Sequence, residues 1–309
     1  MTSQSLTVTV GLCVKNGAET IKKAVDSLCC QTFPAEKTEL IVVDGNSKDG
    51  TLQIIQKNLT ADFGKLQIFH EGNGLGIARQ MVVQKANGKY IVWLDADMTL
   101  ANDYLQNQVA FMEQHPEVGI AAGKYNVHFG HGLAADLENI VYAVDSVFEQ
   151  RAKASKFGWL PGAEGAIYRV EAVREVGGFD TSINGAAEDT EIAYRVKSKG
   201  WELKTTNERF TESTRATWLS LWRQYIWYGR GAHYIHHKDP DSISIWKLAP
   251  LGGFIAGVLR TPNAYLLTHR ASTFLLPIHY TYKRFAWLFG FYDAHRNGYG
   301  HKNWSEDEL

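Results

Sequence analysis

Two rhythms of apolar and polar positions alternate along the first hundred residues. Residues 6–14 form a nearly unbroken apolar and β-branched run, which predicts a buried strand. Over 18–30 the rhythm changes, with Ile21, Val25 and Leu28 at helical spacing. The same pair then repeats. A run over 39–43 ends at Asp44 and passes through a polar loop into a helix over 51–59. A run over 66–69 passes through Gly72-Asn73-Gly74-Leu75-Gly76 into a helix reaching Ala86, and a fourth run, 90–94, ends at Asp95. Short buried strands separated by helices predict βαβ units, an α/β fold with a mainly parallel central sheet flanked by helices. Ligands of such sheets bind beyond the carboxyl ends of the strands, so the polar residues there are the candidates for chemistry.

After residue 100 the alternation loosens. Helices are expected over 103–115, 133–153, 170–176 and 188–199, strands over 118–123 and 166–168, and a Gly-rich loop over 161–165. From Thr217 onward long helical segments carry aromatic and basic residues, so 1–216 reads as one domain and 217–309 as a helical extension. Hydrophobic residues at 45% and charged residues at 21% exclude a disordered chain. A formal net charge of −1 gives no electrostatic reason to expect nucleic acid as a partner. Cys13, Cys29 and Cys30 form no CxxC pair and read as reduced thiols of a cytoplasmic protein. The first residues lack the basic start and apolar core of a signal peptide. The longest apolar stretch, 248–259, is interrupted by Pro250, Gly252 and Gly253 and falls short of the ~18 residues a spanning helix needs.

Asp95-Ala96-Asp97 places two carboxylates at a strand end, where both can aim at one point. Oxygen ligands suit Mg²⁺ or Mn²⁺, which also bind phosphate oxygens. The bland reading is a surface loop that happens to begin with two acids. Asp44 stands at another strand end, placed to accept hydrogen bonds from a base or ribose, while Asp49 and Ser47 read as turn formers and a helix cap. The glycines at 72, 74 and 76 do not complete GxGxxG, because Ile77 or Arg79 stands where the third glycine belongs. Arg79, near a helix start, is a candidate for phosphate, or else a surface ion pair. Glu188-Asp189-Thr190-Glu191 opens a helix, where the dipole alone would account for acids. A sugar transferred to a hydroxyl nevertheless needs a base, and a carboxylate beside a metal-bound donor supplies one.

In this order the motifs resemble the family 2 inverting glycosyltransferases of the GT-A fold. The likeness covers residues 6–240. It rests on Lys15-Asn16-Gly17-Ala18-Glu19, Val43-Asp44-Gly45-Asn46-Ser47-Lys48-Asp49-Gly50-Thr51, Gly76-Ile77-Ala78-Arg79, Asp95-Ala96-Asp97, Gly177-Gly178-Phe179-Asp180 and the Glu188–Glu191 tetrad. The resemblance implies a nucleotide-diphosphate sugar donor, linked to UDP or GDP, and a divalent cation, Mn²⁺ or Mg²⁺. It also implies donor contacts by Asn16, Glu19, Asp44, Arg79 and Asp95, with Asp97 on the metal. Asp189 would be the catalytic base with Glu188 beside it, and Gly162, Ala163 and Glu164 would lie at the acceptor. Where many relatives carry a His after the Glu-Asp helix, this chain has Phe210-Thr211-Glu212-Ser213, so Glu212 is either a substitute ligand or merely exposed. The QxxRW of processive synthases is missing, which argues against polymer synthesis. Arg223 and Arg230 fall on one helical face instead, able to reach a diphosphate or to form a solvated stripe.

Residues 246–298 mix Trp246, Phe254, Phe274, Tyr280, Phe285, Trp287 and Phe289 with Lys247, Arg260, Arg270, Lys283, Arg284 and Arg296. Aromatic and basic residues on helices too short to span are what an in-plane interfacial helix needs, and an anionic membrane surface would attract the basic side. A lipid-linked acceptor at the cytoplasmic face follows from that reading. A helical cap or a dimer interface competes with it. For the whole chain, a nucleotidyltransferase or an inactive nucleotide-sugar-binding protein on the same fold are the alternatives to a transferase.

Overall fold

The computed structural model describes residues 6–149, 160–183, 186–238 and 249–297. They fall into two compact units. The first holds everything described up to Asn126 together with Leu160–Ser182 and Glu188–Ser213; the second holds the described residues of segments starting at Val127, Ile183 and Thr214. The C-terminal helices are therefore grouped with two earlier segments as well as with the stretch from Thr217 onward.

The first unit is built on an eight-stranded sheet. In chain order its strands are β1 (Val8–Val14), β2 (Thr38–Asp44), β3 (Lys65–His70), β4 (Tyr90–Trp93), β5 (Met98–Leu100), β6 (Val118–Tyr125), β7 (Ile167–Arg169) and β8 (Glu202–Glu212). They lie in the order β3-β2-β1-β4-β7-β6-β8-β5. The expected parallel alternation holds for β3-β2-β1-β4. Beyond β4 the sheet is mixed: β7 runs antiparallel to β4 and β6, β8 parallel to β6, and β5 antiparallel to β8. Six helices belong to this unit: α1 (Ile21–Cys29), α2 (Thr51–Asn58), α3 (Leu75–Lys85), α4 (Tyr104–Gln114), α6 (Val170–Glu175) and α7 (Glu188–Ser198). Helix α1 turns Ile21, Ala24, Val25 and Leu28 inward, and they join Leu12, Val42, Val92 and Leu94 in the core.

Register decides where chemistry can sit. Val14 pairs with Asp44 and Asp44 with His70, so β1, β2 and β3 finish level. Gly11 pairs with Trp93, and the Leu94 N–H donates to the Gly11 carbonyl at 3.0 Å, which delivers Asp95 to the same edge. Gly11 is needed there, since a Cβ would meet the Trp93 ring at 2.7 Å. Within the apolar run of β2, Glu39 is fully buried. It accepts from Thr9 Oγ1 (2.7 Å), the Asn87 N–H (2.8 Å) and Gln67 Nε2 (2.9 Å). Burial alone would raise its carboxyl, but the hydrogen bonds from Asn87 and Thr9 and the charge of Lys65 outweigh that and hold it below the usual range.

The second unit is helical: α5 (Leu133–Glu149), α8 (Trp218–Lys238), α9 (Pro250–Thr268) and α10 (Leu276–Arg296). Glycines set the approach of α8 to α10. A Cβ on Gly229 would strike the Trp287 carbonyl, and one on Gly290 the Ile226 carbonyl. Leu137, Ile140, Val141, Val144, Ala264, Leu276 and Tyr280 form its core. Inside it Glu138, 5% exposed, lies 2.6 Å from Lys283 Nζ and 2.5 Å from His279 Nε2. Not all of the aromatic and basic residues of 246–298 lie at the surface. Lys283, 4% exposed, Tyr280 and Trp287 are interior. Arg270 pairs with Asp136 at 3.2 Å, and Arg260 lies over the Tyr280 ring. Trp246, Lys247, residue 298 and the end of the expected 133–153 helix lie outside the described residues. Among the described residues no helix is long and apolar enough to cross a membrane.

Candidate functional site

The loops at the carboxyl edge of the sheet are laced to one another. The Asn16 N–H donates to Ser47 Oγ (2.9 Å), and the Lys48 N–H donates back to Asn16 Oδ1 (3.0 Å). Asp49 accepts from the Ala18 N–H at 3.0 Å and from the Thr51 N–H at 3.1 Å, so it ties the loop after β1 to the start of α2. Asn16 is exposed with φ at 50°, and Glu19 is exposed just before α1. Asp44 is buried at the end of β2. Its carboxylate accepts the Ser47 N–H at 3.2 Å and lies 3.3 Å from His70 Nδ1. His70 was not anticipated, although it ends β3 as Asp44 ends β2, and the strand-end rule would have found it.

Arg79, on α3 and only 4% exposed, is the centre of the arrangement. Its Nη1 donates to the Glu188 carboxylate at the start of α7, and its Nη2 reaches Asp95 Oδ1 at 3.3 Å. Its guanidinium lies 5.5 Å from the centroid of Trp93, which comes from β4. One buried cation thus joins the Asp95-Ala96-Asp97 turn to the Glu-Asp helix. The turn itself is closed by the Met98 N–H donating to the Asp95 carbonyl at 3.1 Å. Met98 of β5 lies opposite Glu212 of β8, and the Ser213 N–H donates to the Asp97 carbonyl at 3.0 Å. The main chains of Asp97 and Glu212 are therefore neighbours. Asp95, Asp97 and Glu212 are not among the described groups in which three ligand atoms converge.

Asp189 follows Glu188 on α7. Its Oδ2 accepts the Ala163 N–H at 3.3 Å and its Oδ1 the Thr190 N–H at 2.6 Å, which ties the 161–165 loop to the helix. The Glu164 carboxylate lies against Gly162, where a Cβ would make it shift. The acids crowd one field. Burial, with the charges of Asp189 and Asp95, pushes the Glu164 carboxyl up to about 7. Burial pushes Glu188 up to about 8, with Arg79 opposing and Asp189 adding to the rise. Burial pushes the Cys13 thiol up to about 12, so it is a neutral neighbour rather than a nucleophile. Four acidic side chains thus surround a single guanidinium, and two of them, Glu164 and Glu188, hold protons near neutral pH.

Of the other candidates, Arg223 and Arg230 lie on α8 in the second unit. Arg223 is exposed. Arg230 is held by Asp293 of α10, with Nη2 2.8 Å from Oδ2, so it is occupied by a protein carboxylate.

With this geometry in view, the chain can be set beside known proteins. The profile of Glycosyl transferase family 2 matches residues 9–177, from β1 through α6. A "Probable glycosyltransferase YdaM" of Bacillus subtilis (strain 168) is 26% identical over 238 residues, covering 74% of this chain and 56% of the relative. A "Poly-beta-1,6-N-acetyl-D-glucosamine synthase" of Staphylococcus aureus (strain COL) is 23% identical over 256 residues, covering 79% and 59%. The chain thus spans little more than half the length of these curated relatives. Among solved structures, mannosyltransferase PcManGT from Pyrobaculum calidifontis superposes with a TM-score of 0.55 at 22% identity, covering 94% of this chain and 75% of that one. S. aureus TarS 1–349 gives 0.52 at 14% identity, covering 96% and 93%. At these identities the likeness is one of fold, the mixed-sheet GT-A architecture. With the profile match extending over more than half of its residues, the chain belongs to glycosyl transferase family 2.

Proposed function

We propose that the protein is an inverting glycosyltransferase that uses a divalent cation to move a sugar from a nucleotide-diphosphate sugar to a hydroxyl or phosphate acceptor. One observation carries the reading. Arg79 holds Asp95 and the start of α7 to the same buried guanidinium, so the DxD turn and Asp189 are fixed relative to each other. PcManGT is described in complex with GDP-Man and Mn²⁺, and TarS with UDP-GlcNAc, which are donors of the class proposed here.

The donor set fits Mn²⁺ or Mg²⁺. Such ions take one or two carboxylates and leave their other positions to phosphate oxygens and water, and the excess of acid over base in the site favours a cation. Asp97 would hold it, with Glu212 reaching in from β8. When bound, the ion offsets the charge that develops on the departing nucleoside diphosphate. The rest of the work falls to the protein. Asp44 accepts hydrogen bonds from the base or ribose, with Asn16 and Glu19 on the rim. Asp95 holds the donor while Arg79 keeps its carboxylate oriented. Glu188, engaged by Arg79, positions the helix. Asp189 takes the proton of the acceptor hydroxyl as its oxygen attacks the anomeric carbon on the face opposite the diphosphate. Gly162, Ala163 and Glu164 shape the acceptor side.

A lipid-linked acceptor accords with the second unit, where Leu251, Phe254, Leu259 and Leu266 of α9 and Ile278 and Phe289 of α10 are exposed. Apolar side chains on helices unable to span are suited to an interface. The test is thermal unfolding with UDP, GDP, UDP-GlcNAc and GDP-Man, each with and without Mn²⁺. We expect at least one nucleotide to raise the midpoint only with the cation, and Asp97→Asn to remove that rise. No cation-dependent shift with any of the four would overturn the reading.

A further inference from the structure

Within the second unit, and apart from the carboxylate site, three imidazoles converge. His233 and His237 lie one turn apart on α8, and His295 stands near the end of α10. His237 Nε2 is 3.1 Å from His233 Nε2, and His295 Nδ1 is 3.3 Å from that same atom. All three nitrogens lie within 4.8 Å of one another. Phe291 packs edge-on against His233, ring centroids 4.9 Å apart, and fixes that imidazole in place. Among the described residues this is the one set of three metal-ligating side chains whose ligand atoms meet.

The spacing has a meaning. A tetrahedral ion with metal–nitrogen bonds of about 2.0–2.1 Å separates its ligand nitrogens by about 3.3 Å. The two separations of 3.1 and 3.3 Å already match, so only the third has to close. His233 is 2% exposed, while His237 and His295 face solvent. Imidazole sets select Zn²⁺, Ni²⁺, Cu²⁺ or Co²⁺ over the hard ions that carboxylates and phosphates prefer.

We propose that His233, His237 and His295 form a binding site for a transition-metal ion of the zinc class, which clamps the end of α8 to the end of α10. His237 and His295 are exposed, so water completes the coordination. The inference stands independently of the transferase reading, because it uses none of the residues assigned to sugar transfer and its test reads no turnover.

The test uses the full chain without an affinity tag, stripped with EDTA and then given one equivalent of Zn²⁺ or Co²⁺. We expect about one Zn²⁺ retained per chain after gel filtration, a raised unfolding midpoint, and the intense visible bands of four-coordinate cobalt. His237→Ala with His295→Ala changes two exposed side chains. That variant should lose the bands and weaken Zn²⁺ binding on the order of 100-fold or more. Asp97→Asn, which alters the hard-ion site, should keep both. Equal Zn²⁺ retention in the double variant and the parent would overturn the proposal, as would a weak six-coordinate cobalt spectrum in the parent.

Discussion

At the scale of single residues, the pairing around Arg79 separates the roles of two adjacent acids. Glu188 and Arg79 are both buried, and the guanidinium donates to the Glu188 carboxyl group and holds it in place. That assignment spends Glu188 on structure. Asp189 is different. Among the described residues its oxygens accept the main-chain N–H groups of Ala163 and Thr190 and the Thr190 hydroxyl, so lone pairs remain for an acceptor proton. Asp189→Asn keeps the size and the acceptor carbonyl but cannot take a proton. We expect turnover to fall by roughly 10²–10⁴-fold, with the affinity for the nucleotide sugar within a few-fold of the parent, measured by initial rates and by calorimetric titration. Turnover near the parent level would take Asp189 out of the base role.

At the scale of elements, α8 and α10 meet where Gly229 and Gly290 bring backbone against backbone. Helix propensity predicts that Gly290→Ala stabilises by about 1 kcal/mol. The Cβ would, however, strike the Ile226 carbonyl, and overpacking of this kind costs about 1–3 kcal/mol. The steric effect is the larger, so the midpoint in urea should fall; a rise would mean that the close approach is not required. Such contacts also mark what the sequence could show. Strands β1, β2 and β4 were legible because burial on both faces makes them continuous apolar runs. Strand β8 was not, since half its residues are polar and exposed, and β5 is only three residues long. Asp44 and Asp95 were legible as strand-end acids. One partner of Arg79, Glu188, lies 109 positions away, and Glu138, the partner of Lys283, lies 145 away. Local pattern cannot pair such residues, so Lys283 read as a surface charge and Glu39 vanished into an apolar run. The histidines show the same divide: His233 and His237 are one helical turn apart in the sequence, but only the packing of α10 brings His295 to them.

At the scale of the molecule, a formal net charge of −1 makes general charge repulsion small near neutral pH, so the response to acid is set by a few buried groups. Burial lowers His233 to about 4 and places His279 below its ordinary range, with Lys283 contributing to the latter. In the unfolded chain both titrate near 6.5, so below that pH the unfolded state takes up protons that the folded histidines refuse, and these two groups lower stability. Glu138 adds a second, lower window. Burial works against its charge, but Lys283 and His279 outweigh it and hold the carboxyl at about 2, against 4.5 unfolded. Its contribution is complete above pH 4.5 and is lost as pH falls from there towards 2, roughly 3 kcal/mol in all. Glu164 and Glu188, raised to about 7 and 8, bind protons in the folded state over the same range and oppose the histidines. Calorimetric scans in EDTA should therefore show little net change in the midpoint from pH 7 to 5 and a decline below 4.5. Glu138→Gln leaves Lys283 buried without its carboxylate, so this variant should melt earlier at pH 7 yet lose the decline below 4.5. If it kept the parent's slope there, acid sensitivity would have to arise elsewhere than in the bond between α5 and α10.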